Sequence, residues 1–259
     1  MPRMSLFLLW LCLCNSAWAL NPARLDNTDV RLSLGPHMSY LEDPRGSLRL
    51  QDVQNTPSER FQPVNHDHVN LGKNTSVWWF RVELDNRLTE ALPGFVEINY
   101  PLLDHLQVYL QTPDGRVSQQ ESGDRFAFSQ RPVQVRNFWF PLQLPSGNSQ
   151  LLIRVDTTST VFFPVYFSTY AANAAAQEDL MAWNGAFYGM LLAMVFYNLF
   201  LFLSLREATY CWYVVYGLNV VLLGACFDGL LFKLLPDATA LQAVSIYILL
   251  FTQTLAAVQ

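Results

Sequence analysis

Twenty consecutive residues from Ala186 to Leu205 carry no charged side chain, and only Asn198 and Ser204 among them are plainly polar. A helix of about 20 residues is about 30 Å long, which matches the hydrocarbon core of a bilayer. The segment is therefore predicted to cross a membrane. The rest of the chain has to be arranged around that span.

Two more apolar segments follow this first span. Arg206–Thr209 is long enough only for a tight turn, Tyr210–Leu235 is predicted to be a second span, and Ala240–Gln259 begins a third. The third segment has no polar flank, so we expect it to be incomplete. Residues 183–259 are thus predicted to be the first three helices of a truncated α-helical transmembrane bundle.

The first 19 residues are typical of a secretory signal peptide. Arg3 supplies a positive charge, Leu6–Leu13 is apolar, and Ala17-Trp18-Ala19 has the small residues of a cleavage site. We expect cleavage after Ala19, with an uncleaved anchor helix as the alternative. The domain that follows would then lie in the periplasm of a bacterium, attached to a multi-pass inner-membrane protein, with Arg206 on the cytoplasmic side.

Charge and cysteine content narrow the function classes. The net charge of −5 and the pI near 5.3 leave no basic surface for a nucleic-acid backbone, so nucleic-acid binding is excluded. Cys12 and Cys14 would leave with the signal peptide, and Cys211 and Cys226 lie in apolar segments. The exported domain is therefore predicted to contain no disulfide.

Between residues 20 and 170 the hydrophobic pattern predicts β-strands. From Val77 apolar and polar positions alternate, with Trp78, Phe80, Val82 and Leu84 on one face. Shorter strands are predicted at Phe95–Asn99, His105–Gln111, Asn137–Leu144, Leu151–Val155 and Val161–Phe167. Turn residues separate them, which favours an antiparallel β-sandwich, with residues 171–182 as a connector to the membrane.

The segment before Val77 is harder to assign. Leu48–Val53 is predicted to be another strand, and Thr56–Gly72 is predicted to be a long loop because its periodicity is poor.

No catalytic constellation is present in the sequence, and no cofactor is predicted. The sequence therefore leaves open whether the protein is an enzyme. His66-Asp67-His68 is too compact to close a tetrahedral metal site, and a solvated loop is favoured there. Asp104 and Asp124 could supply oxygen ligands to calcium, but neither has EF-hand spacing. No metal site is predicted.

Six residues are candidates for ligand binding, and all six are aromatic residues or arginines in the predicted sandwich. An indole beside a guanidinium can stack on a sugar ring and bind its hydroxyl groups. The candidates are Trp79, Arg81, Tyr109, Arg136, Trp139 and Arg154.

Each candidate also has a purely structural interpretation. Trp79 could pack under a neighbouring loop, with Arg81 paired to Glu83 or Glu97 across strands.

Within the membrane segments, Asp228 is interpreted as a residue near the outer interface rather than a relay, and Asn198 is expected to bond a neighbouring helix.

The order and spacing of several motifs resemble a known family, the bacterial seven-transmembrane receptors with diverse intracellular signalling modules (7TMR-DISM). The motifs are Tyr40-Leu41-Glu42-Asp43-Pro44-Arg45-Gly46, Leu71-Gly72, Val77-Trp78-Trp79-Phe80-Arg81-Val82-Glu83-Leu84-Asp85-Asn86, Tyr100-Pro101-Leu102-Leu103-Asp104, Arg136-Asn137-Phe138-Trp139-Phe140-Pro141-Leu142, Leu152-Ile153-Arg154-Val155, Gly185–Phe200 and Arg206–Tyr210.

The resemblance implies a jelly-roll-like sandwich of the DISMED2 type that binds a small or carbohydrate-like ligand, and a seven-span membrane region. It also implies a cytoplasmic output module, with a histidine kinase or a cyclic-di-GMP enzyme favoured. Trp79 and Arg81 fall on the family's Trp-x-Arg positions. The alternative is an interaction module that binds a partner receptor or a second copy and has no small ligand.

Overall fold

The computed structural model describes residues 21–230, residue 233 and residues 247–254. The predicted signal peptide at 1–19 lies outside these residues, as does most of the predicted third span, of which residues 247–254 are helical. The described chain is a β-sandwich followed by two long helices. The predicted fold class is thereby confirmed.

Twelve strands among the described residues form two facing sheets. In chain order they are β1 (Ala23–Leu25), β2 (Arg31–Ser33), β3 (Met38–Asp43), β4 (Gln62–Pro63), β5 (His68–Lys73), β6 (Val77–Asn86), β7 (Leu92–Ile98), β8 (His105–Gln111), β9 (Val117–Ser122), β10 (Phe138–Leu144), β11 (Gly147–Asp156) and β12 (Thr160–Ser168). Sheet I has the order β4-β3-β6-β11-β8-β9, with β1 added parallel to β6. Sheet II has the order β10-β7-β12-β2, with β5 added to β12.

The main core lies between the two sheets. The predicted inward face of β6 is confirmed, since Trp78, Phe80, Val82 and Leu84 all belong to the buried cluster. Phe80 meets Phe163 of sheet II edge to face, with ring centroids 5.6 Å apart. Burying side chains of this size stabilises the fold by about 1.5–3 kcal/mol each, so the alternating pattern is enough to set which face of β6 is inside.

The strand predictions differ in accuracy along the chain. β8 has the predicted bounds, whereas β7, β11 and β12 are longer than predicted. The prediction at Leu48–Val53 is wrong, because Leu50–Gln54 forms a short helix, α1. Its start is set by Asp52, whose carboxylate accepts a hydrogen bond of 2.9 Å from the Arg49 backbone N–H and so satisfies an unpaired group at the helix end.

The predicted loop at Thr56–Gly72 is also partly wrong. It contains a single 3₁₀ turn at Ser58–Arg60, then β4 and most of β5. β4 pairs with β3 and β5 pairs with β12, so both strands owe their structure to distant partners that local periodicity does not reveal.

Two long helices follow the sandwich. α2 (Tyr170–Leu205) begins directly after β12, and its 36 residues give it a length of about 54 Å. The predicted connector is therefore helical and continuous with the first span. After a turn in which Arg206 adopts the left-handed conformation (φ 56°), α3 (Ala208–Phe227) returns. Both helices are long and apolar enough to cross a membrane.

The two helices are tied together near the sandwich. The Tyr188 hydroxyl of α2 donates a hydrogen bond of 2.6 Å to the carboxylate of Asp228, which ends α3. Farther along α2, the Asn198 side chain donates to the Met194 carbonyl of its own helix. The expectation that Asn198 bonds a neighbouring helix is thus wrong for the described residues.

Candidate ligand-binding site

The outer face of sheet I carries four of the six predicted ligand-binding residues. The strand register places Trp79 beside Arg154, and Arg81 beside Leu152 and then Tyr109. The sequence prediction therefore brings Trp79, Arg81, Tyr109 and Arg154 onto one surface. We call its apolar part, made of Leu41, Trp79, Tyr109 and Leu152 beneath Val53 and Phe61, the covered face.

The cover is built by the segment that follows β3. The buried Asp43 carboxylate accepts hydrogen bonds from the backbone N–H groups of Ser47 (3.2 Å) and Leu48 (2.8 Å), which turns the chain back over the sheet. α1 then lies on the sheet, where the Gln54 amide donates to the Gln111 side chain at 2.9 Å. By accepting two backbone hydrogen bonds, the Asp43 carboxylate thus helps to position α1 as a lid over the aromatic residues.

Trp79 lies under this lid. Its residue exposure is 1%, and its ring stacks on Tyr109 with centroids 5.9 Å apart. The structural interpretation offered for Trp79, packing beneath a neighbouring segment, describes its position in the structure. A sugar ring has no access to this indole while α1 stays in place.

Arg81 is held beside the lid by Phe61. Its guanidinium carbon lies 3.8 Å from the centre of the Phe61 ring. Burial lowers the pKa of Arg81, while the nearby carboxylates of Glu83 and Glu59 act in the opposite direction. Glu97, the other partner considered from sequence, belongs to sheet II.

Tyr109 and Arg154 lie on the same face, Tyr109 in the cross-strand row of Arg81 and Arg154 in the row of Trp79. The Tyr109 hydroxyl donates to the Gln107 side chain at 3.1 Å, and burial raises the pKa of this tyrosine. Arg154 forms an ion pair of 3.2 Å with Asp156, at the end of β11. Among the predicted residues, Arg154 is thus the one that lies between the covered face and the open end of the sheet.

The other two predicted residues lie in or next to sheet II. The Trp139 indole stacks on Phe95 with centroids 4.2 Å apart, and its N–H points to Glu97 at 3.4 Å. Glu97 is fully buried and also accepts hydrogen bonds from Arg31 (3.1 Å) and Asn137 (3.1 Å). A buried carboxylate needs such partners, so the arrangement around Trp139 satisfies a charge in the fold.

Arg136 lies where the sandwich meets the helices. Gly229, just after α3, has φ +71°, and a Cβ placed on it would come within 2.9 Å of the Pro101 Cβ and 3.2 Å of the Arg136 carbonyl oxygen. The end of α3 therefore presses directly on the loops around Pro101 and Arg136. We call this contact the junction.

An open pocket of about 210 Å³ lies at the end of sheet I where β11 finishes and β8 begins. It is lined by Asp104, His105, Arg125, Phe126, Asp156 and Thr158. We call it the end pocket. Two of its charged groups face solvent, since the side chains of Asp156 and Arg125 are 49% and 66% exposed.

Asp104 organises the wall of the end pocket. Its carboxylate accepts hydrogen bonds from the Thr158 N–H (2.8 Å), the Thr158 hydroxyl (2.7 Å) and the Arg125 guanidinium (3.0 Å). On the rim, His105 contacts the Glu121 carboxylate and lies 5.4 Å from the Phe126 ring, centroid to centroid. The pocket therefore offers hydrogen-bond acceptors, donors and an aromatic ring around one small volume.

A second and larger concavity of about 780 Å³ lies between the edge strands β9 and β10. Leu110 and Leu142 contribute to its apolar lining, and Asp114 and Arg116 lie at its distal end. We call it the side groove. It contains none of the six predicted residues.

Sequence reasoning missed most of the end pocket. The sequence suggests Asp104 only as an ion ligand, and its motifs do not point to Arg125, Phe126, Asp156 or Thr158. A usable signal was present, because Asp156 directly follows the predicted strand Leu151–Val155 and His105 begins another, and antiparallel pairing places such ends together. The His66-Asp67-His68 motif lies elsewhere, with the His68 ring 5.0 Å from Phe162, and no group of metal-binding residues occurs within the described ranges.

Comparison with known proteins identifies both halves of the chain. Residues 35–169 match the family described as 7TMR-DISM extracellular 2, and residues 180–259 match the one described as 7TM diverse intracellular signalling. The chain belongs to the 7TMR-DISM family. The resemblance seen in the sequence motifs is thereby confirmed. These domains make the protein a membrane sensor of the signalling type, with an N-terminal exported domain.

Two solved structures are distantly similar to this 7TMR-DISM chain. TmCBM61 in complex with β-1,4-galactotriose is 8% identical with a TM-score of 0.25, covering 57% of this chain and 95% of the other. A structure described for the promiscuous specificity of carbohydrate-binding modules from the β-sandwich superfamily is 10% identical with a TM-score of 0.23, covering 56% of each chain. No curated protein matches the chain.

Proposed function

We propose that this 7TMR-DISM chain is the input half of a receptor in a bacterial inner membrane. Its periplasmic sandwich binds a small, carbohydrate-like ligand in the end pocket. The membrane helices relay that event to a cytoplasmic output module, for which a histidine kinase or a cyclic-di-GMP enzyme is the favoured class.

The observation that carries this proposal is the position of the loop between β7 and β8. Asp104 of this loop lines the end pocket, and Pro101, three residues earlier, contacts the end of α3 at the junction. A ligand that reorganises Asp104 therefore acts on a segment that already touches a membrane helix. One short loop therefore carries both the proposed ligand-binding residue, Asp104, and the residue that contacts the membrane helix, Pro101.

The chemistry of the end pocket suits a hydroxylated ligand. Carboxylates such as Asp156 accept hydrogen bonds from sugar hydroxyl groups, and the Arg125 guanidinium donates to hydroxyl or carboxylate oxygens. The Phe126 ring supplies an apolar face for the C–H side of a sugar. A pocket of about 210 Å³ accommodates one monosaccharide unit or a ligand of similar size.

In this proposal the predicted residues divide into two groups. Arg154 reaches the ligand through its partner Asp156, whereas Trp79, Arg81 and Tyr109 support the sheet beneath the lid. Signalling then requires the ligand to prefer one of two arrangements of the β7–β8 loop, because a ligand with equal affinity for both arrangements shifts nothing.

The ligand proposal is tested with the full chain in lipid nanodiscs and a panel of neutral sugars, amino sugars and uronic acids. We expect at least one sugar to raise the melting temperature of the sandwich, and Asp156→Asn and Phe126→Ala to reduce that rise. Asp114→Asn, an exposed carboxylate change in a distant turn, serves as the matched control. The absence of any shift across the panel would contradict the proposal.

The proposed topology has a separate test. Alkaline phosphatase fused after Ala171 should be active in the periplasm of a bacterial host, whereas a fusion in the Arg206–Glu207 turn should be inactive. Activity at the second position and inactivity at the first would reverse the orientation.

The side groove favours a second candidate function, the binding of another protein. β9 and β10 are edge strands, and unpaired strand edges can accept an added strand from a partner. A second copy or a partner receptor could dock there without any small ligand. A Ser118→Pro change on β9 should then abolish self-association in nanodiscs, and a chain that stays monomeric at every concentration would argue against docking of a second copy.

A further inference from the structure

α2 runs back along the sandwich before it reaches the membrane. At its start, the Tyr170 ring lies 5.1 Å from the Phe95 ring of β7, centroid to centroid. Tyr188 lies about 27 Å farther along the helix. There it bonds to the end of α3, where Gly229 meets Pro101 just after β7. The end of the sandwich that carries the junction therefore points in the direction in which α2 continues.

The junction lies at the level where α2 enters the membrane. The predicted first span begins at Ala186, so Tyr188 lies about 3 Å inside it. Trp183, one turn before the span, is 76% exposed, and tryptophan is enriched where a membrane meets water. Trp183 and Tyr188 are about 8 Å apart along the helix, which is close to the thickness of one headgroup layer. The loops that meet α3 at Gly229 therefore lie at the depth of the lipid headgroups.

One loop at this depth is rich in positive charge. Residues 125–136 contain three arginines and no acidic residue, in a chain whose net charge is −5. We call them the basic loop. The loop also carries Phe126, Pro132 and Val133, which are partly or fully exposed. Positive charge beside accessible apolar side chains is typical of segments that lie on an anionic membrane surface.

Arg131 gives the basic loop its shape. Its guanidinium donates to the carbonyls of Val135 (3.0 Å) and Arg136 (2.9 Å) and lies over the rings of Phe128 and Phe138. Arg131 is buried, whereas Arg136 is partly exposed. One arginine therefore holds the loop closed from inside and leaves another at its surface.

Arg136 is the arginine of the basic loop best placed to meet a lipid. Its carbonyl oxygen lies against Gly229, and its charge acts on the Tyr188 hydroxyl. Among the residues that the structure describes, its guanidinium forms no hydrogen bond or ion pair. Asp228 lies at the same level, but its carboxylate already accepts the Tyr188 hydrogen bond. Arg125, by contrast, lines the end pocket.

We propose that the basic loop binds the anionic phosphate groups of phospholipids at the membrane surface beside the junction. The Arg136 guanidinium donates hydrogen bonds to a lipid phosphate, an acceptor that matches its planar geometry. Pro132 and Val133 contact the apolar groups just below the phosphates. The lipid contact thus supports the sandwich next to its helix contact at Gly229. It depends on the membrane span and not on sugar binding in the end pocket.

The test uses the full chain in nanodiscs of phosphatidylcholine with an increasing fraction of phosphatidylglycerol, without any sugar. Cys211 and Cys226 are replaced by alanine, and a fluorophore is attached at Gln134→Cys, an exposed position of the basic loop. A trace of lipid with a spin-labelled headgroup quenches fluorophores at the membrane surface. We expect quenching at this position to increase with the phosphatidylglycerol fraction. A fluorophore at Glu90→Cys, in the loop before β7 and so at the opposite end of the sandwich, should show no such increase.

Charge variants test the role of Arg136. Arg136→Gln should need about fivefold more phosphatidylglycerol for half-maximal quenching, the effect expected when one basic residue leaves an anionic surface. Arg136→Lys should keep most of the response, because the charge remains. Both variants retain the backbone carbonyl that Arg131 uses, so the loop should stay closed. Arg116→Gln, which removes an exposed arginine from the turn between β8 and β9, is the matched control and should respond as the unmodified chain does.

Two results would overturn the proposal. One is quenching at Gln134→Cys that does not change with the phosphatidylglycerol fraction. The other is an equal response in Arg136→Gln and in the unmodified chain. Because no sugar is present, failure of the ligand screen would leave this result unaffected.

Discussion

The covered face and the end pocket belong to the same sheet and are only a few residues apart along β11. Leu152 of this strand lies in the covered face, whereas Asp156 lines the end pocket with a half-exposed carboxylate. The covered face has the aromatic residues that a sugar site needs, and the end pocket has the open polar groups. In this sheet, a cluster of aromatic residues therefore indicates internal packing. The candidate binding site is the region whose polar groups are accessible to a ligand.

The physical reason is that exposing apolar side chains to water costs free energy, whereas exposing charged side chains does not. Trp79 and Tyr109 present large apolar areas, so the chain gains free energy by folding α1 over them. Asp156 and Arg125 are charged, and their burial would be costly. The same tendency that closes the lid over one part of the outer face leaves the end of the sheet open to a ligand.

The largest expected effect on stability is that of Trp79→Ala, which tests whether the covered face serves packing and not binding. If Trp79 is a packing residue, truncation should lower the free energy of unfolding by about 4 kcal/mol, the range for a buried aromatic residue. Hydrogen exchange of the sandwich strands measures this loss, with Trp79→Phe as a milder control. A loss below about 1 kcal/mol would show that the lid does not depend on the indole.

A second effect concerns the pH dependence of stability behind the end pocket. The pKa of Asp124 is raised in the folded state from 3.8 to about 6, so the folded state binds the proton more tightly than the unfolded chain. The contribution is complete below pH 3.8 and is lost as the pH rises through 6. A shift of this size corresponds to about 3 kcal/mol. Asp124→Asn should remove that part of the slope in urea unfolding.

The matched control for this pH dependence is Asp114, whose pKa is shifted in the opposite direction. The pKa of Asp114 is lowered to about 2 by hydrogen bonds from Thr112 and Arg116. Its contribution is present above pH 3.8 and is lost as the pH falls through 2. Asp114→Asn should therefore leave the slope between pH 4 and pH 7 unchanged, and a change of slope in this variant would contradict the assignment to Asp124.

A smaller effect is expected on sugar binding in the end pocket. Asp156→Asn should weaken binding of any sugar found in the panel about tenfold, or about 1.4 kcal/mol, because a carboxylate acceptor is lost. Its effect on stability should stay within about 0.5 kcal/mol, since the pair with Arg154 is half exposed. Calorimetric titration beside urea unfolding separates the two quantities, and equal losses in both would indicate a structural role.

The smallest effect is expected at the margin of the covered face. Arg81→Met keeps much of the side-chain length but removes the guanidinium over Phe61, so a loss of about 1 kcal/mol is expected from the cation–π contact. Arg116→Met in an exposed turn is the control. If Arg81→Met also prevents sugar binding, the two regions act as one site and the comparison fails.

The parts of the fold that sequence could predict are those set by local pattern. The core face of β6 follows from strict alternation, and the bounds of β8 follow from alternation between clear turns. α1, β4 and β5 could not be predicted in the same way. α1 depends on one capping aspartate and on packing over a distant sheet, and the two strands depend on partners elsewhere in the chain.

For the candidate site, sequence identified Arg154 and considered Asp104, but it could not rank accessible residues above buried ones. Trp79 and Arg81 alternate with core residues, which predicts the outer face and says nothing of what lies on that face. The residues that line the end pocket come from separate segments around positions 104, 125 and 156. Their proximity arises only when β8 and β11 pair.

By itself the sequence determined the division of the chain into a charged, alternating region and an apolar region, because water and lipid impose different patterns on every residue in contact with them. Only the tertiary structure decided which aromatic residues are sealed under α1, which polar groups stay open, and that the loops at Pro101 and Arg136 touch the end of α3. Those contacts join residues far apart in the chain, and local physical chemistry does not specify such pairings.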